Sequence, residues 1–183
     1  MKVLVGVEYA FLDWFLRLES PTMDRIMLAL TTLGNGGIAF ILLGIGLCLF
    51  KKTRQMGMSV LLSLAIGFVV GNLVLKNVVM RPRPCWIEPW VSLPIPVPKD
   101  YSFPSGHALA AFETAVSVYL YDRRWGVVLI LLAIGVAVSR LYLFVHFPTD
   151  VLAGALLGMG IAWGVHKMLE KRENCGMMDE DKK

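Results

Sequence analysis

The chain has 183 residues, is 56% hydrophobic and carries charge on only 17% of its positions; soluble domains carry charge on roughly 25%. That balance excludes a disordered tail and a disulfide scaffold, and it argues against a soluble enzyme. The net charge of +4 is spread between apolar stretches, whereas a nucleic-acid binder gathers its cations on one soluble face, so no nucleic-acid partner is expected.

Residues 1–19 mix apolar and aromatic side chains with Glu8, Asp13, Arg17 and Glu19, which predicts an interfacial helix, with a first span as the alternative. Glu8 interrupts the apolar run and no small-residue cleavage site follows, so a signal peptide is not expected. Ser20-Pro21-Thr22 reads as a helix start, with a hydroxyl cap and proline in the first turn. Residues 26–50 carry no charge but are broken by Gly34-Asn35-Gly36-Gly37. A break at membrane depth needs a protein or water contact for its freed backbone groups. Residues 22–33 are therefore expected at the interface, with the main span at about 36–50.

Further spans are expected at 55–79, 105–121, 125–144 and 148–168. Gln55 to Leu75 contains 21 residues without a charge, and 125–139 and 151–165 contain 15 each. Between the second and third of these spans lies 80–104, with Pro82, Pro84, Pro89, Pro94, Pro96, Pro98 and Pro104. Seven prolines in 25 residues exclude a regular helix and predict an ordered loop or lid. The expected fold is all-α: one membrane-embedded domain over 1–183, a polytopic bundle of five to six spans plus the N-terminal helix. Residues 1–33 are its interfacial or first-span helices, 36–168 its core spans and 169–183 a cytoplasmic tail.

Charge placement sets the orientation. Lys51, Lys52 and Arg54, then Arg123 and Arg124, then Lys167, Lys171, Arg172, Lys182 and Lys183 all fall on one side under this span order. The positive-inside rule makes that side cytoplasmic. The 80–104 loop and the 140–148 turn then face outward, yet they hold Arg81, Arg83, Lys99 and Arg140, with Lys76 at the adjoining span end. A bound anion would account for outward cations.

Three segments meet on that side. They are Lys76-x6-Arg83-Pro84, Pro104-Ser105-Gly106-His107, and Ser139-Arg140-x5-His146-x3-Asp150. Lys76, Arg83 and Arg140 are cations suited to phosphate oxygens. Ser105 and Gly106 open a helix, whose N–H groups and dipole favour an anion, and Gly106 permits close approach. Asp150, four residues after His146, fits a carboxylate that fixes the imidazole tautomer and sharpens the nucleophile. His107 is a second imidazole, free to act as a general acid. Together these parts suit phosphoryl transfer.

The three segments resemble the signature of the type-2 phosphatidic acid phosphatase family, the integral-membrane lipid phosphate phosphatases. All eleven positions of that pattern are met over residues 76–150. The resemblance implies that His146 attacks phosphorus to form a phosphohistidine, that Asp150 orients His146, and that His107 protonates the leaving group. It implies that Lys76, Arg83, Ser105, Gly106 and Arg140 hold the phosphate. It also implies no metal and no cofactor, and the chain has no carboxylate cluster suited to Mg²⁺. The expected partners are the bilayer and a membrane lipid phosphate or diphosphate. Small family members with an outward site resemble bacterial enzymes that recycle undecaprenyl diphosphate, so that substrate stands first. Phosphatidylglycerophosphate and phosphatidic acid are the alternatives, and a lipid-phosphate-binding or translocating protein is the non-enzyme rival.

Outside the motifs, Arg81 and Lys99 read as surface or headgroup contacts. Glu113 reads as a structural carboxyl within a span. Trp86, Trp90, Tyr101 and Phe103 fit either a lipid entrance or an interfacial aromatic belt.

Overall fold

The computed structural model describes the backbone of residues 2–180 and the side chains of 6–172. Cys175, Lys182 and Lys183 of the basic tail lie outside the described side chains. Among the described residues every regular element is a helix. The chain runs through α1 (Lys2–Leu16), α2 (Pro21–Gly34), α3 (Ile38–Cys48), α4 (Arg54–Gly67), a π-helical stretch (Phe68–Leu75), α5 (Lys76–Val79), α6 (Pro84–Ile87), α7 (Gly106–Tyr119), α8 (Arg123–Tyr142) and α9 (Pro148–Glu180).

Among the described residues, four segments are long and apolar enough to cross a membrane: Pro21–Cys48, Arg54–Ile87, Arg123–Tyr142 and Pro148–Arg172. Helix α2 starts as its sequence dictates, with Ser20 accepting from the Met23 N–H and Pro21 in the first turn. The Gly34–Gly37 break kinks the chain without separating the helices on either side. A single 3₁₀ turn at Asn35–Gly37 joins α2 to α3, with Gly36 at φ 59° and Gly37 at φ 67°, so Pro21–Cys48 is one kinked candidate span. Positive φ costs glycine nothing, which is why the kink sits there. Its protein contact is His107, whose Nε2 lies 3.0 Å from Asn35 Oδ1.

Helix α7 is the hub. Its 14 residues reach about 21 Å, short of the ~30 Å hydrocarbon core. It packs on α4, α8 and α9 and buries Leu109, Glu113, Thr114 and Val118. Lipid tails give no hydrophobic drive between helices, so small residues that permit close backbone approach carry the packing. A Cβ at Gly154 would meet the Ser105 carbonyl at 2.5 Å, and one at Gly158 the Leu109 carbonyl at 2.6 Å. On the opposite flank, Gly67 faces the Glu113 carboxyl and Gly71 faces Leu109. The π-helical stretch follows directly after Gly67 and runs up to Lys76, so its wider turns set the direction in which that lysine projects. Such bulges concentrate at functional sites.

The helix ends sort to two sides. The α3–α4 and α7–α8 connections lie at one end, and the starts of α2, α7 and α9 and the end of α8 at the other. Helix α1 caps this second end. Tyr9 packs edge-on against Phe147 at 5.4 Å between ring centroids, and Phe15 meets Tyr142 edge-on at 6.5 Å.

Candidate active site

All eight sequence-predicted residues converge at the end capped by α1. Lys76 opens α5, Arg83 immediately precedes α6, Ser105 and Gly106 begin α7, Arg140 lies in the last turn of α8, and Asp150 in the first turn of α9. His146 sits in the 143–147 connection, where Phe144 holds a left-handed φ of 54° while almost fully buried. Bulky side chains adopt that conformation only where the surroundings over-determine it. Here the Val145 carbonyl accepts from Arg83 Nη1 at 2.8 Å, which fixes the peptide next to His146.

Lys76, Arg83, Gly106, His107, Arg140 and His146 line one cavity of about 1030 Å³. Its far wall is apolar, with Leu61, Leu64, Ala65, Phe68 and Ile41. Phe68 and Ile41 of that wall are themselves exposed.

Arg83 is buried and organises the cradle. Its Nη2 donates to Asp100 Oδ1 at 2.8 Å, its Nε to the Asp100 carbonyl at 2.7 Å, and its Nη1 lies 3.1 Å from His146 Nε2. Lys76 pairs with the other oxygen of Asp100. Burial works against ionisation of Asp100, but Lys76 and Arg83 outweigh it and hold the carboxyl down at about 2. Asp100 is thus the resident counter-ion of the cationic cradle, a role its sequence position did not reveal. Arg140 Nη1 donates to Thr31, while its Nε and the Ser105 hydroxyl are buried without a protein partner. Ser105 stands at the start of α7 without capping it, so its hydroxyl remains available.

His146 is fully buried. Burial first, and then the charges of Arg83, Arg140 and Lys76, push its pKa well below 6.5 and favour the neutral ring. Asp150 is buried behind it, but Nδ1 to Oδ2 is 3.9 Å, too long for a hydrogen bond. Ser102 fills the gap: its hydroxyl donates to Asp150 Oδ2 at 2.5 Å and lies 3.3 Å from His146 Nδ1.

Arg81 corrects the expectation of a headgroup contact. Its Nη1 donates to Asp150 Oδ1 at 2.7 Å and its Nη2 to Glu8 Oε2 at 2.6 Å, with the guanidinium 4.1 Å from the Phe147 ring centroid. Glu8 is buried and also accepts from Thr149. The acid that argued against a signal peptide therefore ties α1 to α9 behind the site. Trp86 donates from Nε1 to the Pro98 carbonyl at 2.9 Å and packs on Tyr101, clasping the proline-rich loop, whereas Trp90 is exposed. Glu113 is buried as expected and lines the cavity below His107.

Comparison with known proteins agrees with this geometry. Residues 56–174 match the PAP2 superfamily. The chain is 38% identical over 147 residues to an undecaprenyl-diphosphatase of Sulfolobus acidocaldarius, covering 79% of this chain and 70% of that protein. It is 28% identical over 156 residues to phosphatidylglycerophosphatase B of Bacillus subtilis, covering 78% and 73%. The crystal structure of a transmembrane PAP2-type phosphatidylglycerolphosphate phosphatase from Bacillus subtilis superposes with a TM-score of 0.79 at 26% identity, over 93% of this chain and 88% of that one. Membrane helices, a cationic cradle beside two imidazoles, and this matched domain lead to one conclusion: the chain belongs to the PAP2 superfamily and is a multi-pass membrane phosphatase, a hydrolase acting on phosphate esters.

Proposed function

We propose that the protein cleaves the terminal phosphate from undecaprenyl diphosphate, releasing undecaprenyl phosphate, through a phosphohistidine on His146. The observation that carries this reading is the joining of the two halves of the cavity. Three cations and two imidazoles stand in one half, and the other half is walled by apolar side chains. A ligand filling both halves is a lipid with a phosphate head. Arg140 Nε and Ser105 Oγ are buried donors without acceptors, the state expected of groups that meet their partner in the substrate.

The phosphate displaces the Asp100 carboxylate from Lys76 and Arg83. The Nε2 lone pair of His146 then attacks the terminal phosphorus. The bond from phosphorus to the bridging oxygen breaks, its electron pair leaves with the lipid phosphate, and His107 supplies a proton to that oxygen. In the second half His107 takes a proton from water, the hydroxyl oxygen attacks phosphorus, and the N–P bond returns its pair to His146 as inorganic phosphate departs. Lys76, Arg83 and Arg140 stabilise the charge on the transferring group, so the reaction runs without a metal.

The substrate choice rests on the 38% identity to an undecaprenyl-diphosphatase and on how little protein outside the bilayer could read a large headgroup. The likeness to the Bacillus subtilis phosphatidylglycerolphosphate phosphatase favours phosphatidylglycerophosphate as the second reading. Basic residues on the opposite end of the bundle support a site on the extracytoplasmic side with the C-terminus in the cytoplasm. The deciding experiment is relative kcat/KM on undecaprenyl diphosphate, phosphatidylglycerophosphate and phosphatidic acid in matched micelles. Preference for the diphosphate is expected; preference for either glycerophospholipid overturns the substrate choice.

A further inference from the structure

We propose that Ser102 is a positioning residue for the reaction, its hydroxyl linking Asp150 to His146 so that the Nε2 lone pair faces the phosphate cradle. The inference rests on His146 being the nucleophile. A serine hydroxyl has one proton. At 2.5 Å from Asp150 Oδ2 that proton is committed to the carboxylate, because Asp150 carries no hydrogen to give back when ionised. Asp150 also accepts from Arg81 at 2.7 Å on Oδ1 and from the Phe147 N–H at 2.9 Å on Oδ2. Toward His146 the Ser102 oxygen can then only accept. The 3.3 Å contact assigns the imidazole hydrogen to Nδ1 and leaves Nε2 with its lone pair.

The opposite side of the ring gives the same answer. Arg83 can only donate, and its Nη1 lies 3.1 Å from Nε2. Two partners on separate elements therefore select one tautomer. The direct route from carboxylate to imidazole is closed by the 3.9 Å separation. Ser102 is itself immobilised: it is fully buried, and its N–H donates to the Arg81 carbonyl at 2.8 Å. The same segment that supplies the serine thus runs beside the arginine that anchors the carboxylate.

Ser102→Ala removes the acceptor on Nδ1 while leaving Asp150 with Arg81 and the Phe147 N–H. With purified protein and undecaprenyl diphosphate, kcat should fall by roughly 10- to 100-fold, the range in which outer partners of a functional imidazole act. KM should stay within about twofold, since no phosphate donor is lost. The acid limb of kcat/KM should move to lower pH, because the imidazolium loses its link to the carboxylate. Ser102→Thr retains the hydroxyl and should recover most of kcat; Ser102→Cys is the smaller replacement if the extra methyl lowers Tm. Wild-type kcat and pH profile in Ser102→Ala would overturn the inference. So would a loss that tracks a fall in Tm with the acid limb unmoved. His146→Ala is the control: if it turns over normally, the nucleophile assignment itself falls, whereas an inactive His146→Ala beside a fully active Ser102→Ala refutes the relay alone.

Discussion

At the scale of single residues, the site is a balance between burial, which expels charge, and partners that retain it. His146 lies outside the spans, and its burial and three neighbouring cations favour the neutral ring. The neutral ring is the nucleophilic form, and kcat/KM reports the free enzyme. The acid limb of kcat/KM should therefore lie below pH 6.5, the ordinary histidine value. Lys76→Gln removes one cation and should shift that limb upward as it lowers kcat/KM; an unshifted limb would show that the titrating group is not His146. Stability should follow the same sign. His146 and Asp100 both have lowered pKa values in the folded state, so each contributes stability above its unfolded value, 6.5 and 3.8 respectively. That contribution is lost as the pH falls, for Asp100 on the way to about 2. The motif residues were legible because their spacing is fixed by local geometry. Asp100, Ser102, Arg81 and Glu8 were not. Their partners are 17 to 141 positions away in the chain, and no local periodicity encodes a contact made only by the folded bundle.

At the scale of elements, glycines on α9 and α4 set how closely the helices approach α7, and that approach sets the site. The Ser105 N–H donates to the Asp150 carbonyl at 3.0 Å, which locks the start of α7 to the first turn of α9. Gly154→Ala would press a methyl group against the Ser105 carbonyl. Backbone cannot swing aside, so a cost of about 1–3 kcal/mol in stability is expected, with kcat reduced as Asp150 and Ser105 separate. A thermal-shift and turnover measurement on Gly154→Ala, with Gly160→Ala as a control facing open space, checks this; equal behaviour of the two variants would contradict it. Charge-free runs marked the candidate spans Arg54–Ile87, Arg123–Tyr142 and Pro148–Arg172, whereas the span expected at 105–121 folds as the shorter α7. The continuity of α2 with α3 was not readable, because a Gly-Asn-Gly-Gly run reads as a stop, and only the Asn35 contact with His107 shows why the kink remains inside a span. The π-helical stretch left no pattern either, since one inserted residue changes the phase of an apolar run without changing its composition.

At the scale of the whole molecule, four candidate spans and the shorter α7 enclose one cavity with its polar end beneath α1. The proposed orientation puts the proline-rich loop outside and the α3–α4 turn inside. Cys85 is buried and is a poor reporter, so the test is better made with Lys99→Cys and Lys51→Cys in a background lacking the native cysteines. An impermeant maleimide on intact cells should label the first and spare the second; the reverse pattern would invert the topology. The central claim is that phosphate passes through His146. Rapid quench of the purified enzyme with undecaprenyl diphosphate labelled in its terminal phosphate measures this most directly. The account predicts an acid-labile, base-stable phosphoenzyme that forms and decays within the turnover time, maps to His146, and is absent from His146→Ala. Turnover at the native rate in His146→Ala, or label recovered on another residue, would contradict it.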